Sequence, residues 1–114
     1  MPPRSPFDAF NTFYADGNAS EIGFGISPAY RTVSHGRWIR TGRRSFANNL
    51  ALAIFDANGL YAGYQLIDRM IELSADGQTL TSRARFNRYG PSDELIFSGC
   101  ANETGARLAE PTPF

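Results

Sequence analysis

Two residues of this chain could carry acid–base chemistry. His35 is the sole imidazole, so any histidine chemistry would have to use it. Its place at a strand start beside Gly36 fits the rim of a barrel, and turn capping is the alternative. Asp68 lies in an otherwise apolar segment, where it could act as a general acid or base. Alternatively, it pairs with an arginine across a sheet or faces solvent. His35 and Asp68 are therefore the candidate catalytic residues.

A second group of residues could line a binding site. Asn48 is a polar residue at an inward position of an apolar segment, and a buried polar group costs about 1 to 3 kcal/mol when it is unpaired. It therefore needs a protein partner, a water or a ligand. Trp38 supplies a large apolar area and one donor, either as the floor of a pocket or as core. The candidate ligand-binding residues are Tyr14, Trp38, Phe46, Asn48, Leu50, Leu52, Tyr64, Leu66 and Phe86.

The composition excludes several classes of site. All eleven basic residues are arginine, which removes Schiff-base chemistry, a lysine general base and a P-loop lysine. Cys100 is the only cysteine, so an internal disulfide and a thiolate metal cluster are excluded. A metal site would need carboxylates such as Glu21, Asp68, Glu72 or Glu103, and their spacing matches no ligand pattern. We therefore expect neither a metal nor a cofactor.

The charge balance and the apolar pattern bear on partners and location. Eleven basic residues offset eleven acidic ones, so no overall field would attract nucleic acid or an anionic membrane surface. No apolar run approaches the roughly 20 residues that cross a bilayer, and residues 1–6 lack the apolar core of a signal peptide. With a single cysteine, these features predict a cytoplasmic protein that binds neither nucleic acid nor a membrane.

The pattern along the chain is that of long strands. At 114 residues we expect one domain over 1–114, with an extended proline-rich arm at 1–6 and a loose tail at 109–114. Turn signals near residues 17, 42, 58, 76 and 91 separate extended segments, and no segment has a convincing helical period. The predicted strands span 7–14, 19–26, about 33 or 36 to 40, 45–56, 60–73, 78–89 and 94–108. A kink at Gly99 or Gly105 is expected in the last.

The predicted strand 45–56 has the clearest two-faced pattern. Its large residues share one face with Asn48, and mostly small residues occupy the other, which is typical of a strand that is buried on both faces or lines a cavity on one. In the next strand, Tyr64, Leu66 and Asp68 have one parity while Ile67 and Ile71 have the other. This change indicates a bulge near Gly63 or Asp68, and the pattern leaves open which face points inward.

Several turn and packing motifs resemble those of small bacterial lipocalin-like (calycin-like) barrel proteins. The motifs are His35-Gly36-Arg37-Trp38, Arg43-Arg44-Ser45-Phe46, Phe55-Asp56-Ala57-Asn58-Gly59 and Leu73-Ser74-Ala75-Asp76-Gly77, and the resemblance covers roughly residues 7 to 108. It implies an all-β, antiparallel up-and-down barrel of seven or eight long strands. The wider group includes ligand binders and, among the related allene-oxide-cyclase-like barrels, cyclases and isomerases.

One departure from this family concerns closure of the barrel. Such proteins usually begin with a Gly-x-Trp strand, which is absent here, so the barrel must close with its long C-terminal segment, remain slightly open or pair with a second copy as a homodimer.

Three functions follow as hypotheses. The first is a barrel that holds a small apolar or aromatic molecule in its interior, the second a cyclase or isomerase in which Asp68 or His35 points into the same cavity, and the third an interaction module that assembles through an open sheet edge.

Overall fold

The computed structural model describes residues 9–23 and 28–113. The predicted arm at 1–6, the start of the first predicted strand (7–8), the end of the second (24–26) and Phe114 lie outside the described residues. Among the described residues, no helix has the length and apolar character needed to cross a membrane.

The described residues form seven antiparallel strands and one short 3₁₀ helix at Pro28–Tyr30. The strands are β1 (Ala9–Phe13), β2 (Asn18–Gly23), β3 (Ser34–Arg40), β4 (Ser45–Phe55), β5 (Tyr61–Leu73), β6 (Thr79–Tyr89) and β7 (Leu95–Ala106). Each strand pairs with the next, so the order in the sheet follows the order in the chain. The sheet curls into a half-barrel, which brings β2 into contact with β5 across its concave side. The predicted all-β, antiparallel up-and-down architecture is therefore confirmed.

Three of the turns share an aspartate followed by a glycine with positive φ. These are Asp16 with Gly17, Asp56 with Gly59, and Asp76 with Gly77. In each turn the aspartate carboxylate accepts a backbone N–H two residues further on, at 2.8 to 3.0 Å. Such bonds favour the charged carboxylate, and they hold the pKa of Asp16 and Asp76 below its ordinary value, with the Ser74 hydroxyl contributing most at Asp76. Local turn chemistry thus fixes the register of these hairpins.

The concave side, called the inner face below, carries the core. Residues that lie directly opposite one another in an antiparallel pair point to the same side of the sheet, so the register assigns every paired residue to one face. Leu50 and Leu52 of β4 share the inner face with Ile67 of β5 and Ala84 of β6. The buried cluster is Ala19, Leu50, Leu52, Ile54, Ile67 and Ala84, with Trp38, Ala62 and Phe86 packed against it. The large residues of β4 thus form the buried face, as predicted, whereas Asn49 and Ala51 on the face with small residues are exposed, so β4 is not buried on both faces.

The buried inward residues of β5 include Ile67, Ile71 and the residue between them, Arg69. The register irregularity lies between Ile54 and Phe55, opposite Gly63, whose φ is +127°. Of the two predicted positions for a bulge, Gly63 is correct and Asp68 is wrong. Because an added Cβ at Gly63 would lie 2.0 Å from the Tyr89 carbonyl oxygen, only glycine fits this close approach of β5 to β6.

The glycines of β7 do not kink the strand. Its register with β6 runs without a break from Phe97 to Ala106, and the irregularity lies instead between Arg88 and Tyr89. The expected kink at Gly99 or Gly105 is therefore wrong. An added Cβ at Gly99 would lie 2.6 Å from the ring of Phe86 and one at Gly105 would lie 3.2 Å from Leu80, so these glycines make room for the side chains of β6.

Candidate functional site

The inner face holds a cluster of charged side chains that connects strands across the concave side of the half-barrel. It consists of Glu21, Arg31, Arg69 and Glu103 and is called the ion cluster below. Glu21 is only 2% exposed and pairs with the Arg69 guanidinium and with Arg31 Nη2, the latter at 3.5 Å. Arg69 Nε lies 3.2 Å from Glu103 Oε1, an ion-pair distance without hydrogen-bond geometry. The cluster therefore joins β2, β5 and β7 with two positive and two negative charges.

Neutral polar side chains make hydrogen bonds to the charged groups of the ion cluster. Arg69 Nη1 donates to Asn11 Oδ1 at 2.7 Å and to Asn48 Oδ1 at 3.4 Å. Ser82 Oγ donates to Glu103 Oε1 at 3.1 Å. Because each charged group of the cluster has an opposite charge beside it, the cluster is a structural clamp with its charges balanced. Its groups are engaged with one another rather than directed at an open cavity.

Asn48 has the protein partners that the sequence analysis required. Its Nδ2 donates to the Arg37 carbonyl oxygen at 2.9 Å and to the Asn49 carbonyl oxygen at 3.1 Å, while its Oδ1 faces Arg69. Trp38 Nε1 donates to the Tyr14 carbonyl oxygen at 2.8 Å, and its ring packs edge to face on Phe46 at 5.6 Å. Both polar groups are thus satisfied within the chain, without water or ligand.

The structure divides the predicted ligand-binding residues between two faces. Trp38, Phe46, Asn48, Leu50, Leu52 and Phe86 lie on the inner face, whereas Tyr64 and Leu66 pair with Ala53 and Ala51 and so lie on the outer face. The expectation that Tyr64 and Leu66 line the interior is therefore wrong, because the register at Gly63 gives the inward positions of β5 to Ile67 and Ile71. Tyr64 instead stacks on Tyr89 at 5.1 Å and donates to Asp93 Oδ1 at 2.7 Å. This bond to a carboxylate raises the pKa of Tyr64 to about 12.

The two candidate catalytic residues also lie on the outer face. Asp68 is 58% exposed, and its Oδ2 is 3.4 Å from Nε of Arg85, its cross-strand neighbour. The expectation that Asp68 points inward is wrong, and the predicted alternative, a pair with an arginine across the sheet, is correct. His35 pairs with Ala51 and lies beside Tyr14 at a small depression of about 260 Å³. The structure does not bring His35 and Asp68 together at one depression.

A larger depression of about 1060 Å³ crosses the outer face from β3 to β7 and is called the trough below. Two rows of cross-strand neighbours form its walls. One row is Ile39, Ala47, Met70, Arg83 and Asn102, and the other is Arg37, Asn49, Asp68, Arg85 and Cys100. The residues between the rows have their side chains on the inner face, so the floor is backbone. The trough combines three arginines with apolar groups, and one of the arginines is already paired with Asp68.

The free edge of β7 is the other prominent feature. Among the described residues, β7 pairs with β6 alone and β1 with β2 alone, so both outer strands of the sheet are open. Leu95, Ile96 and Phe97 of β7 are each more than half exposed. Within the described residues the half-barrel is not closed by its own strands, and pairing with a second copy stays a prediction.

Sequence reasoning missed Arg69, the centre of the ion cluster. The signal was present, because Arg69 has the same parity as Ile67 and Ile71 and so falls on an apolar, inward-facing row. Glu21 was considered only as a metal ligand, and its buried position between Ala19 and Gly23 was not anticipated.

Comparison of the chain with protein-family models, curated proteins and solved structures found no match.

Proposed function

We propose that this chain is an interaction module that assembles by adding a β-strand of another chain to the free edge of β7. The observation that carries the proposal is the length and composition of that edge. The strand has 12 residues, more than twice the 5 of β1. An edge of this kind is a template for strand addition, in which backbone hydrogen bonds supply much of the affinity.

The alternation of hydrogen bonds between β6 and β7 identifies the backbone N–H and C=O groups of β7 that do not bond to β6. Alternate residues of an antiparallel strand direct N–H and C=O to the same neighbour. Arg107 N–H donates to the Gln78 carbonyl oxygen at 2.8 Å, so the odd-numbered residues of β7 face β6. The backbone groups of Ser98, Cys100, Asn102, Thr104 and Ala106 consequently point away from the sheet.

The edge has only part of the usual protection against pairing. Natural edge strands are blunted by lysines, prolines, bulges or inward charges. From Leu95 to Ala106 the chain has neither a proline nor a basic residue. Its one charged residue, Glu103, points inward, where its carboxylate is paired with Arg69 and contacts Ser82. The strand bulges at Ile96, so the regular part of the edge runs from Phe97 to Ala106.

Amide hydrogen exchange measured by NMR on the full chain tests the proposal. We expect the amides of residues 98, 100, 102 and 104 to be protected, either in the chain alone or after addition of a synthetic peptide with the sequence of residues 95–106. Asn102→Pro should weaken binding of that peptide at least about tenfold, because it removes an outward donor without breaking a bond to β6. Asn102→Ala, which keeps the N–H, is the matched control. Fast exchange of all four amides under both conditions would refute the proposal.

A second candidate function is the binding of a small apolar or aromatic molecule, and the trough is the observation that favours it. Exposed Ile39 and Met70 offer apolar contact, and Arg83 could take a carboxylate on the same molecule. We expect the fluorescent probe 8-anilinonaphthalene-1-sulfonate to bind the chain and to lose most of its affinity in Met70→Asp. Leu66→Asp, on the same face outside the trough, is the control, and equal binding by both variants would contradict a trough site.

Three further inferences remain proposals. The kinship with lipocalin-like and allene-oxide-cyclase-like barrels rests on the turn motifs and accords with a curled antiparallel sheet. The cytoplasmic location rests on the single cysteine. The isomerase alternative required Asp68 or His35 in the interior, and with both on the outer face it has less support than either binding function.

A further inference from the structure

We propose that the strand added to β7 is the β7 of a second copy of this chain, in antiparallel orientation, with Ala101 on the two-fold axis. This inference rests on the proposed function and names its partner. The resulting dimer would have a continuous fourteen-stranded sheet, seven strands from each copy. The surfaces that meet are identical, as a two-fold axis requires.

Length favours β7 as its own partner. Among the described residues the other free edge is β1, and its 5 described residues would leave more than half of the 12-residue β7 edge open. A second β7 covers that edge over nearly its whole length.

Symmetry and hydrogen bonding restrict the register. The free N–H and C=O groups belong to even-numbered residues, so even-numbered residues must face even-numbered residues of the second copy. The inner faces of the two copies then lie on the same side of the joint sheet. Two registers use nearly all of β7, one with Ala101 opposite itself and one with Cys100 opposite itself.

Side-chain fit selects the register centred on Ala101. It places Phe97, which is 52% exposed, opposite Gly105 of the second copy, where Leu80 already supplies an apolar neighbour. The register centred on Cys100 would instead set the bulky Phe97 opposite the carboxylate of Glu103, whereas the register centred on Ala101 sets Glu103 opposite Gly99, which has no side chain. On the outer face the first register pairs Ser98 with Thr104, a favourable cross-strand combination.

The same register joins the two troughs. Ala101 belongs to the row that forms the floor of the trough, and with Ala101 opposite itself the two floors become one line. The wall that ends at Asn102 of one copy then continues into Cys100 of the second copy. The wall that ends at Cys100 of the first copy continues into Asn102 of the second copy. Arg83 and Arg85 of both copies therefore flank the two-fold axis along one depression.

Disulfide trapping on the full chain tests the register. Ala101→Cys in a Cys100→Ser background puts two cysteines directly opposite each other at a non-hydrogen-bonded position, with Cα atoms about 4.5 Å apart, within the range for a disulfide. We expect mild oxidation with diamide to cross-link this variant at least about tenfold faster than the unmodified chain or Asn102→Cys in the same background. Faster cross-linking of unmodified Cys100 would overturn the register.

Sedimentation equilibrium of the unmodified and Cys100→Ser chains tests the partner, and the expected mass is twice 12.5 kDa. Asn102→Pro should shift the mass toward that of the monomer, and Asn102→Ala should not. A monomer at all concentrations would overturn the second copy. If that monomer still protects its even-numbered β7 amides on adding the 95–106 peptide, strand addition stands with a different partner. If it does not, both proposals fail.

Discussion

Replacing Arg69 by methionine would remove the centre of the ion cluster while keeping most of the side-chain volume. Arg69 is 6% exposed and contacts two carboxylates, those of Glu21 and Glu103, together with Asn11 and Asn48. After the substitution Glu21 remains buried, with Arg31 Nη2 at 3.5 Å as its remaining charged partner. The variant therefore leaves a carboxylate in the interior with about half of its former compensation.

The magnitude follows from that remaining charge. Breaking a buried ion pair by removing one partner costs about 3 to 5 kcal/mol. The remaining contact with Arg31 places the expected loss for Arg69→Met near the lower end, about 3 kcal/mol. Since the whole stability of a domain of this size is about 5 to 15 kcal/mol, this is a large share of the total.

The assay is urea unfolding followed by the fluorescence of Trp38, the sole tryptophan, which lies on the inner face. Arg85→Met is the matched control, because Arg85 also pairs with a carboxylate but is 76% exposed, as its partner Asp68 is 58% exposed. An exposed pair of this kind contributes about 0 to 1 kcal/mol. If Arg69→Met and Arg85→Met lose the same stability within about 1 kcal/mol, the ion cluster does not clamp the half-barrel.

Three other substitutions test separate parts of the fold. Asp93→Asn should lower the pKa of Tyr64 from about 12 toward its ordinary value of 10.0, measured by ultraviolet titration of the phenol. In the unmodified chain the raised pKa contributes stability that is fully present below pH 10 and is lost as the pH rises toward 12. The free energy of unfolding of the variant should therefore fall less steeply with pH over this range. Gly63→Ala should cost at least about 1 to 3 kcal/mol in urea unfolding, because it adds a Cβ at a φ of +127° against the backbone of β6, and Gly59→Ala, with open space around it, should cost less. Asn48→Leu should cost about 1 to 3 kcal/mol, since it leaves the Arg37 carbonyl oxygen without its amide donor, and a neutral result in the same assay would show that this bond contributes nothing.

The strands and turns were predictable because their determinants are local. An aspartate that accepts a backbone N–H and a glycine with positive φ define a tight turn within a few residues, as at Asp16-Gly17 and Asp76-Gly77. Alternation then fixes the two faces of β4 without reference to any other strand. The predicted and observed bounds of β4 to β7 accordingly differ by at most two residues.

The inward face of β5 and the curl of the sheet were not predictable in the same way. A bulge shifts the parity of every residue beyond it, so the positions of Tyr64, Leu66 and Asp68 depended on whether the irregularity fell at Gly63 or Asp68. The pairing of Glu21 with Arg69 joins residues that are 48 positions apart and arises only when the sheet curls. No local pattern contains that information.

The ion cluster connects the curl of the sheet to the free edge. Glu103 is the one charged residue of β7, and an unpaired inward charge would oppose the pairing of this edge. The curl instead brings it to Arg69, 3.2 Å away, and Arg69 is in turn held by Glu21 of β2. The ion pairs that join β2, β5 and β7 therefore neutralise the one charge beside the free edge. This neutralisation supports the proposed assembly through β7, and it links that proposal to the residues that hold the curled sheet together.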